Sequence, residues 1–185
     1  MRILLPLLLL LAACPDQSGL HCPTNTSLIG QYSLTLTPRH DTGECIAQTD
    51  AGPVPLALED AGVKSSSLCA GAWPDGGIQL NLVVPGKGDR PRTSDLLPDG
   101  GFRFVTVLDA GQPGTACVCD VLISETFEGY LLTGGPFALR PDGGLPLVSG
   151  LSATLTDRLT DAGAGTDCLC AMPCSATYSV AGAPF

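Results

Sequence analysis

The sequence predicts an all-β fold, an antiparallel sandwich or barrel of short strands and hairpins stapled by disulfides. Three observations predict it. Gly 23 and Pro 16 make up about a fifth of the 185 residues, a fraction that disfavours long helices. Two turn-forming motifs punctuate the chain from residue 50 to residue 163. Between them, apolar residues alternate with polar ones at a period of two, which puts one face of a strand in a core and the other in water.

The turns come first because they set the strand ends. Pro-Asp-Gly-Gly occurs at 74–77, 98–101 and 141–144, and Asp-Ala-Gly at 50–52, 60–62, 109–111 and 161–163. Pro presets φ for the first central position of a type I turn, Asp suits the second, and Gly takes the positive-φ position that follows. Such a turn joins two antiparallel strands with a small bulge. Gly76, Gly100 and Gly143 are therefore expected at positive φ. Seven of the fourteen Asp lie in these motifs and read as turn formers rather than catalytic acids.

The strands follow. Tyr32, Leu34 and Leu36 alternate with Ser33, Thr35 and Thr37. Ile78, Leu80, Leu82 and Val84 alternate with Gln79, Asn81 and Val83. Leu151, Ala153 and Leu155 alternate with Ser152, Thr154 and Thr156. Phe102 to Leu108 and Val118 to Leu132 are more continuously apolar and read as more deeply buried strands. The stretch 151–162 comes nearest to a helix, but its Thr content fits a strand better. Roughly eight to eleven strands result, and an antiparallel all-β architecture with them.

The N-terminus carries an address. Met1-Arg2 is followed by an apolar run from Ile3 to Ala13, too short for a membrane span of about 20 residues and suited to the core of a secretory signal. Its end, Leu11-Ala12-Ala13-Cys14, resembles the lipobox of bacterial lipoprotein signal peptides at all four positions. The resemblance implies cleavage before Cys14 and a diacylglycerol on the Cys14 sulfur, whose thiolate is the nucleophile for the thioether. Residues 1–13 are then the signal peptide, 14–20 a lipidated tether, and 21–185 a single all-β domain. That domain resembles the small envelope lipoproteins of Gram-negative bacteria.

Cysteine parity supports the same reading. The chain has nine Cys, and lipidating Cys14 leaves an even set: Cys22, Cys45, Cys69, Cys117, Cys119, Cys168, Cys170 and Cys174. In an oxidising compartment these read as structural disulfides, with 105 possible pairings. The segment Pro85–Gly101 holds no Cys and divides the eight into three and five, so at least one bridge must cross it if all pair within the chain. The pairs Cys117/Cys119 and Cys168/Cys170 place both side chains on one face of a strand, near the upper limit for a bridge, which favours bonding to other segments. The alternatives are a thiolate cluster of Cys168, Cys170 and Cys174 for zinc or copper, or a redox-active Cys-x-Cys disulfide.

Gly114-Thr115-Ala116-Cys117-Val118-Cys119 matches Gly165-Thr166-Asp167-Cys168-Leu169-Cys170 at four of six positions, with an offset of 51. This is a weak internal repeat of 108–132 in 159–181, and it carries Phe127 onto Tyr178.

The formal net charge of −9, with only two Lys, leaves no basic face for phosphates and excludes nucleic-acid binding. No nucleophile elbow, zinc-protease motif or phosphate loop occurs. His21 and His40 read as surface residues, and Lys87, Arg90 and Arg92 as a solvated hairpin tip. Asp157, Asp161 and Asp167 lack the ligand spacing of a calcium loop. Trp73, just before a turn, reads as a core or rim aromatic. The expected function is a lipid-anchored cell-envelope protein, a non-catalytic binding or surface-interaction module without cofactor. Its partners would be the membrane and an envelope protein or small ligand. A metal or redox protein using the Cys-x-Cys pairs is the alternative, and an envelope hydrolase the next.

Overall fold

The computed structural model describes residues 21–40, 43–56, 58, 62–85, 92–111, 121–161 and 171–185. Among them there are ten strands and no helix. They are β1 (Thr26–Arg39), β2 (Ile46–Thr49), β3 (Gly52–Pro55), β4 (Gly62–Ala72), β5 (Ile78–Val83), β6 (Arg92–Asp95), β7 (Gly101–Gly111), β8 (Val121–Thr133), β9 (Val148–Asp161) and β10 (Cys174–Pro184). Eight form one antiparallel sheet in the order β6-β5-β4-β1-β10-β9-β8-β7, and β2 and β3 pair separately. With the β2–β3 hairpin set aside, every sheet neighbour is also a neighbour along the chain, except that β10 returns to β1. This is an up-and-down arrangement, and it removes most of the open edge that a flat sheet would expose.

The ends of the sheet, β6 and β7, nearly close it into a barrel. They meet at the Leu96–Phe102 bridge, through Leu97 N–H donating to Gly101 O (2.8 Å), and through Arg103 N–H donating to Ser94 Oγ (2.9 Å). Strand lengths run from 4 to 14 residues. The longer strands persist because glycines inside them serve close approach rather than termination. At Gly129, opposite Ala153, an added Cβ would lie 2.6 Å from the Ala153 Cα, so only glycine lets β8 press against β9 there.

Period-two patterning sorts the apolar residues of β1, β5, β9 and β10 as expected, but Asn81 of β5 is buried rather than wet. β7 and β8 are not buried throughout: Val105, Val107, Leu122, Tyr130 and Leu132 are exposed on their outer face. Tyr32, Leu34 and Leu36 of β1, Leu80 and Leu82 of β5, Leu151 and Leu155 of β9, and Tyr178 and Val180 of β10 are buried inward. Phe102, Phe104 and Phe127 stack in the same interior with ring centroids 5.3–6.1 Å apart. The offset of 51 relates the hairpin β7–β8 to the hairpin β9–β10 and carries inward Phe127 onto inward Tyr178. Gly76, Gly100 and Gly143 hold φ of 93°, 83° and 76°. Asp75, Asp99 and Asp142 each accept a hydrogen bond from the N–H two residues on, at Gly77, Gly101 and Gly144.

The barrel has two different ends. The start of β1, the turns β4–β5 and β6–β7, the connection β8–β9 and the end of β10 form the lower rim. The upper rim carries the β2–β3 insertion. There the chain at 43–45 joins β10 through Cys45 N–H to Ser175 O (3.1 Å) and Ser175 N–H to Gly43 O (2.9 Å). Leu56 and Leu58 then pack with Met172 on inward Val121 and Leu159, closing that end with a second, smaller apolar cluster.

Candidate functional site

Two disulfides are present, Cys22–Cys69 and Cys45–Cys174. The first fastens the segment before β1 to β4 near the lower rim. The second fastens the insertion to the start of β10 at the upper rim, and it crosses Pro85–Gly101 as cysteine parity requires. It also removes Cys174 from the thiolate cluster envisaged with Cys168 and Cys170. Cys14, Cys117, Cys119, Cys168 and Cys170 lie outside the described residues, as do Lys87, Arg90 and Asp167. His21 is exposed, and His40 sits at the surface with its Nδ1 3.0 Å from Glu44 Oε1. Among the described residues no group of three or more His, Cys, Asp or Glu is arranged to hold a metal.

The unexpected charges are inside the barrel. Arg92 is not part of a solvated tip. It is half-buried at the start of β6, and its Nε and Nη2 both reach the carboxylate of Glu125 on β8, Nη2 to Oε2 at 2.8 Å. Its inward position follows from pairing with Leu82, which sets the parity of β6. Glu125 is 2% exposed and stands directly opposite Asp157 of β9, also 2% exposed. Like charges directly opposite repel, so the bidentate guanidinium offsets a real cost. β7 lies between β6 and β8 on the closed side of the sheet. The pair therefore ties the seam of the barrel from within, where backbone pairing between β6 and β7 is short.

Neither carboxylate is marked as buried at the level of sequence, although the pattern carries a signal for both. Val121, Ile123, Glu125 and Phe127 share one parity, as do Leu151, Ala153, Leu155, Asp157 and Leu159. An acid in an otherwise apolar inward row marks a buried charge.

Around this pair a cavity of about 30 Å³ is lined by Lys64, Arg92 and Glu125 with Leu34, Leu82, Phe127 and Leu155. That volume suits a single water. The Tyr178 hydroxyl, also inward, accepts a hydrogen bond from Leu58 N–H at 3.2 Å. Burial raises the Tyr178 pKa above its ordinary value; the Leu58 N–H opposes this, Asp157 adds to it, Lys64 opposes and Glu44 adds. Tyr32, whose hydroxyl donates to Val148 O at 3.3 Å, is raised by burial alone. Among the described residues the interior is filled by side chains around this small cavity.

Open space lies outside. A groove of about 790 Å³ runs over the outer face of β1, β10, β9, β8 and β7. Two cross-strand rows line it. One is Arg103, Glu128, Thr154, Ser179 and Thr37, and the next is Tyr130, Ser152, Ala181 and Thr35, each residue directly opposite the following one. Small hydroxyl and methyl side chains make the floor. Leu97, Tyr130 and the Arg103–Glu128 ion pair (3.3 Å) make the wall on the β7 side. Sequence patterning marked these positions only as polar and outward, because their alignment depends on the register of five strands. No protein-family model, curated protein or solved structure matches this chain.

Proposed function

We propose that this chain is a lipid-anchored protein of the cell envelope and a non-catalytic binding module that takes a neutral, hydroxyl-rich ligand, such as a glycan strand, in the outer groove. The observation that carries the binding reading is the 790 Å³ outer groove with its two aligned rows of hydroxyl-bearing side chains. The groove chemistry suits a sugar. Ser and Thr hydroxyls both donate and accept, the exposed Tyr130 ring offers an apolar face, and Arg103 with Glu128 offers a paired donor and acceptor. An acidic chain at −9 disfavours a polyanion. Anchoring is supported by Leu11-Ala12-Ala13-Cys14, and an oxidising compartment by the two disulfides.

Co-sedimentation with purified peptidoglycan sacculi tests the binding reading. Wild type is expected to sediment with the glycan, and Tyr130→Ala and Thr154→Arg to stay in solution while folded. Equal sedimentation of all three, or none of wild type, contradicts it. For the anchor, Cys14→Ala is expected to lose incorporation of labelled fatty acid and cleavage before position 14.

A further inference from the structure

The two turn motifs segregate to opposite ends of the barrel. Pro-Asp-Gly-Gly makes the β4–β5 and β6–β7 turns and lies in the β8–β9 connection, so all three copies sit on the lower rim. Asp-Ala-Gly makes the β2–β3 turn and closes β7, and the described residues of the other two copies, Gly62 at the start of β4 and Asp161 at the end of β9, also lie at the upper rim. Apolar side chains are exposed at both ends among the described residues. Leu97, Leu132, Leu139, Leu147 and Phe185 are exposed at or beside the lower rim, Leu147 by 89%. At the upper rim Ile46, Val54, Val63 and Leu122 are exposed among the described residues.

We infer that the lower rim rests on the surface of a zwitterionic bilayer. This inference rests on the lipid-anchor reading of Cys14. Cys22 is fixed by its disulfide to Cys69, which pairs with Leu28 close to the start of β1. Only residues 15–21 separate it from Cys14, so the tether spans at most about 27 Å when fully extended. The 14 residues of β1 alone run about 45 Å along the strand. The upper rim therefore stands a barrel's length beyond the tether's exit, while the lower rim is held within reach of the bilayer.

The exposed leucines and Phe185 give that rim an apolar contact surface. Its turn tips set the lipid class. Asp75, Asp99 and Asp142 sit at the ends of the three turns, with Arg140 beside Asp142 at 3.5 Å. That excess of carboxylates opposes an anionic surface and tolerates a zwitterionic one.

The chain carries its own reporter. Trp73 is its single Trp and lies at the end of β4, on the lower rim. Mature lipidated protein in phosphatidylcholine vesicles with brominated acyl chains is expected to show quenched Trp73 fluorescence. Leu139→Glu/Leu147→Glu, which alters only exposed positions, is expected to float with the vesicles and lose most of that quenching. In a Trp73→Phe background, Val54→Trp at the upper rim is expected to remain unquenched. Adding anionic lipid is expected to weaken the Trp73 signal.

Wild type that floats with vesicles but shows no quenching overturns the inference and leaves the anchor reading standing. Equal quenching at Trp73 and at the residue-54 Trp overturns it in favour of a barrel lying on its side. Failure of wild type to float overturns the anchor reading, and this inference with it.

Discussion

At the residue scale the decisive interaction is the ion pair between Arg92 and Glu125. A buried pair is weak evidence for stability, but removing one partner strands the other charge at a cost of about 3–5 kcal/mol. Arg92→Met and Glu125→Met are each expected to lower unfolding free energy by that order in urea titration. The double variant Arg92→Met/Glu125→Met is expected to recover most of the loss, because two apolar side chains need no pairing. Additive losses would show that the pair is not a unit. Parity along β8 held a signal for Glu125 that reading the segment as continuously apolar passed over, whereas Arg92 was hidden. Its loop neighbours Lys87 and Arg90 made it look solvated, and its partner lies 33 residues away on a non-adjacent strand.

Two tyrosines give a pH signature at the same scale. Burial holds both Tyr32 and Tyr178 above the ordinary phenol value of 10.0. Below that value both folded and unfolded chains keep the proton and stability does not change. Above it the unfolded chain ionises first, binds fewer protons and is favoured, so stability falls as pH rises. Urea midpoints measured from about pH 9 to about 11 are expected to drop, and to drop less in Tyr32→Phe. A flat profile in wild type would contradict the buried placement of these phenols.

At the element scale the turns were the most legible part of the fold. A Pro-Asp-Gly-Gly string specifies φ locally, and nothing distant overrides it. Gly76 and Gly143 have open space where a Cβ would go, so Ala there costs only the left-handed backbone, about 1 kcal/mol, and Asn less. Gly100 differs, because a Cβ would lie 2.6 Å from the Phe137 ring. Gly100→Asn is therefore expected to destabilise well beyond Gly76→Asn, although the two motifs read identically in sequence. Thermal melts of the two variants check this, and equal melting temperatures would contradict it. The β2–β3 insertion was marked only by its turn. Its role as a plug comes from Leu56 and Leu58 meeting Val121 and Leu159, contacts that no local pattern encodes.

At the scale of the whole molecule, alternation and turn spacing foretold an antiparallel all-β fold but left sandwich and barrel open. The choice is made by the meeting of β6 with β7 and of β1 with β10, pairings 6 and more than 100 residues apart that register alone decides. The Cys45–Cys174 bridge then closes a loop with a sequence separation of 129. Cys45→Ala is expected to cost about 2–5 kcal/mol. Trypsin cutting after Lys87 is expected to leave two fragments that run as one species until a reductant is added. Separation without reductant would contradict the bridge.

The roles proposed for the outer groove and the lower rim both belong to a chain held at a membrane. Intact-mass spectrometry of the protein extracted from the membrane fraction tests that claim most directly. The expected mass is that of the chain beginning at Cys14, increased by a diacylglycerol and a further acyl chain, with its protein thiols oxidised in pairs. A mass matching an unacylated chain, or one that still carries residues 1–13, would contradict it.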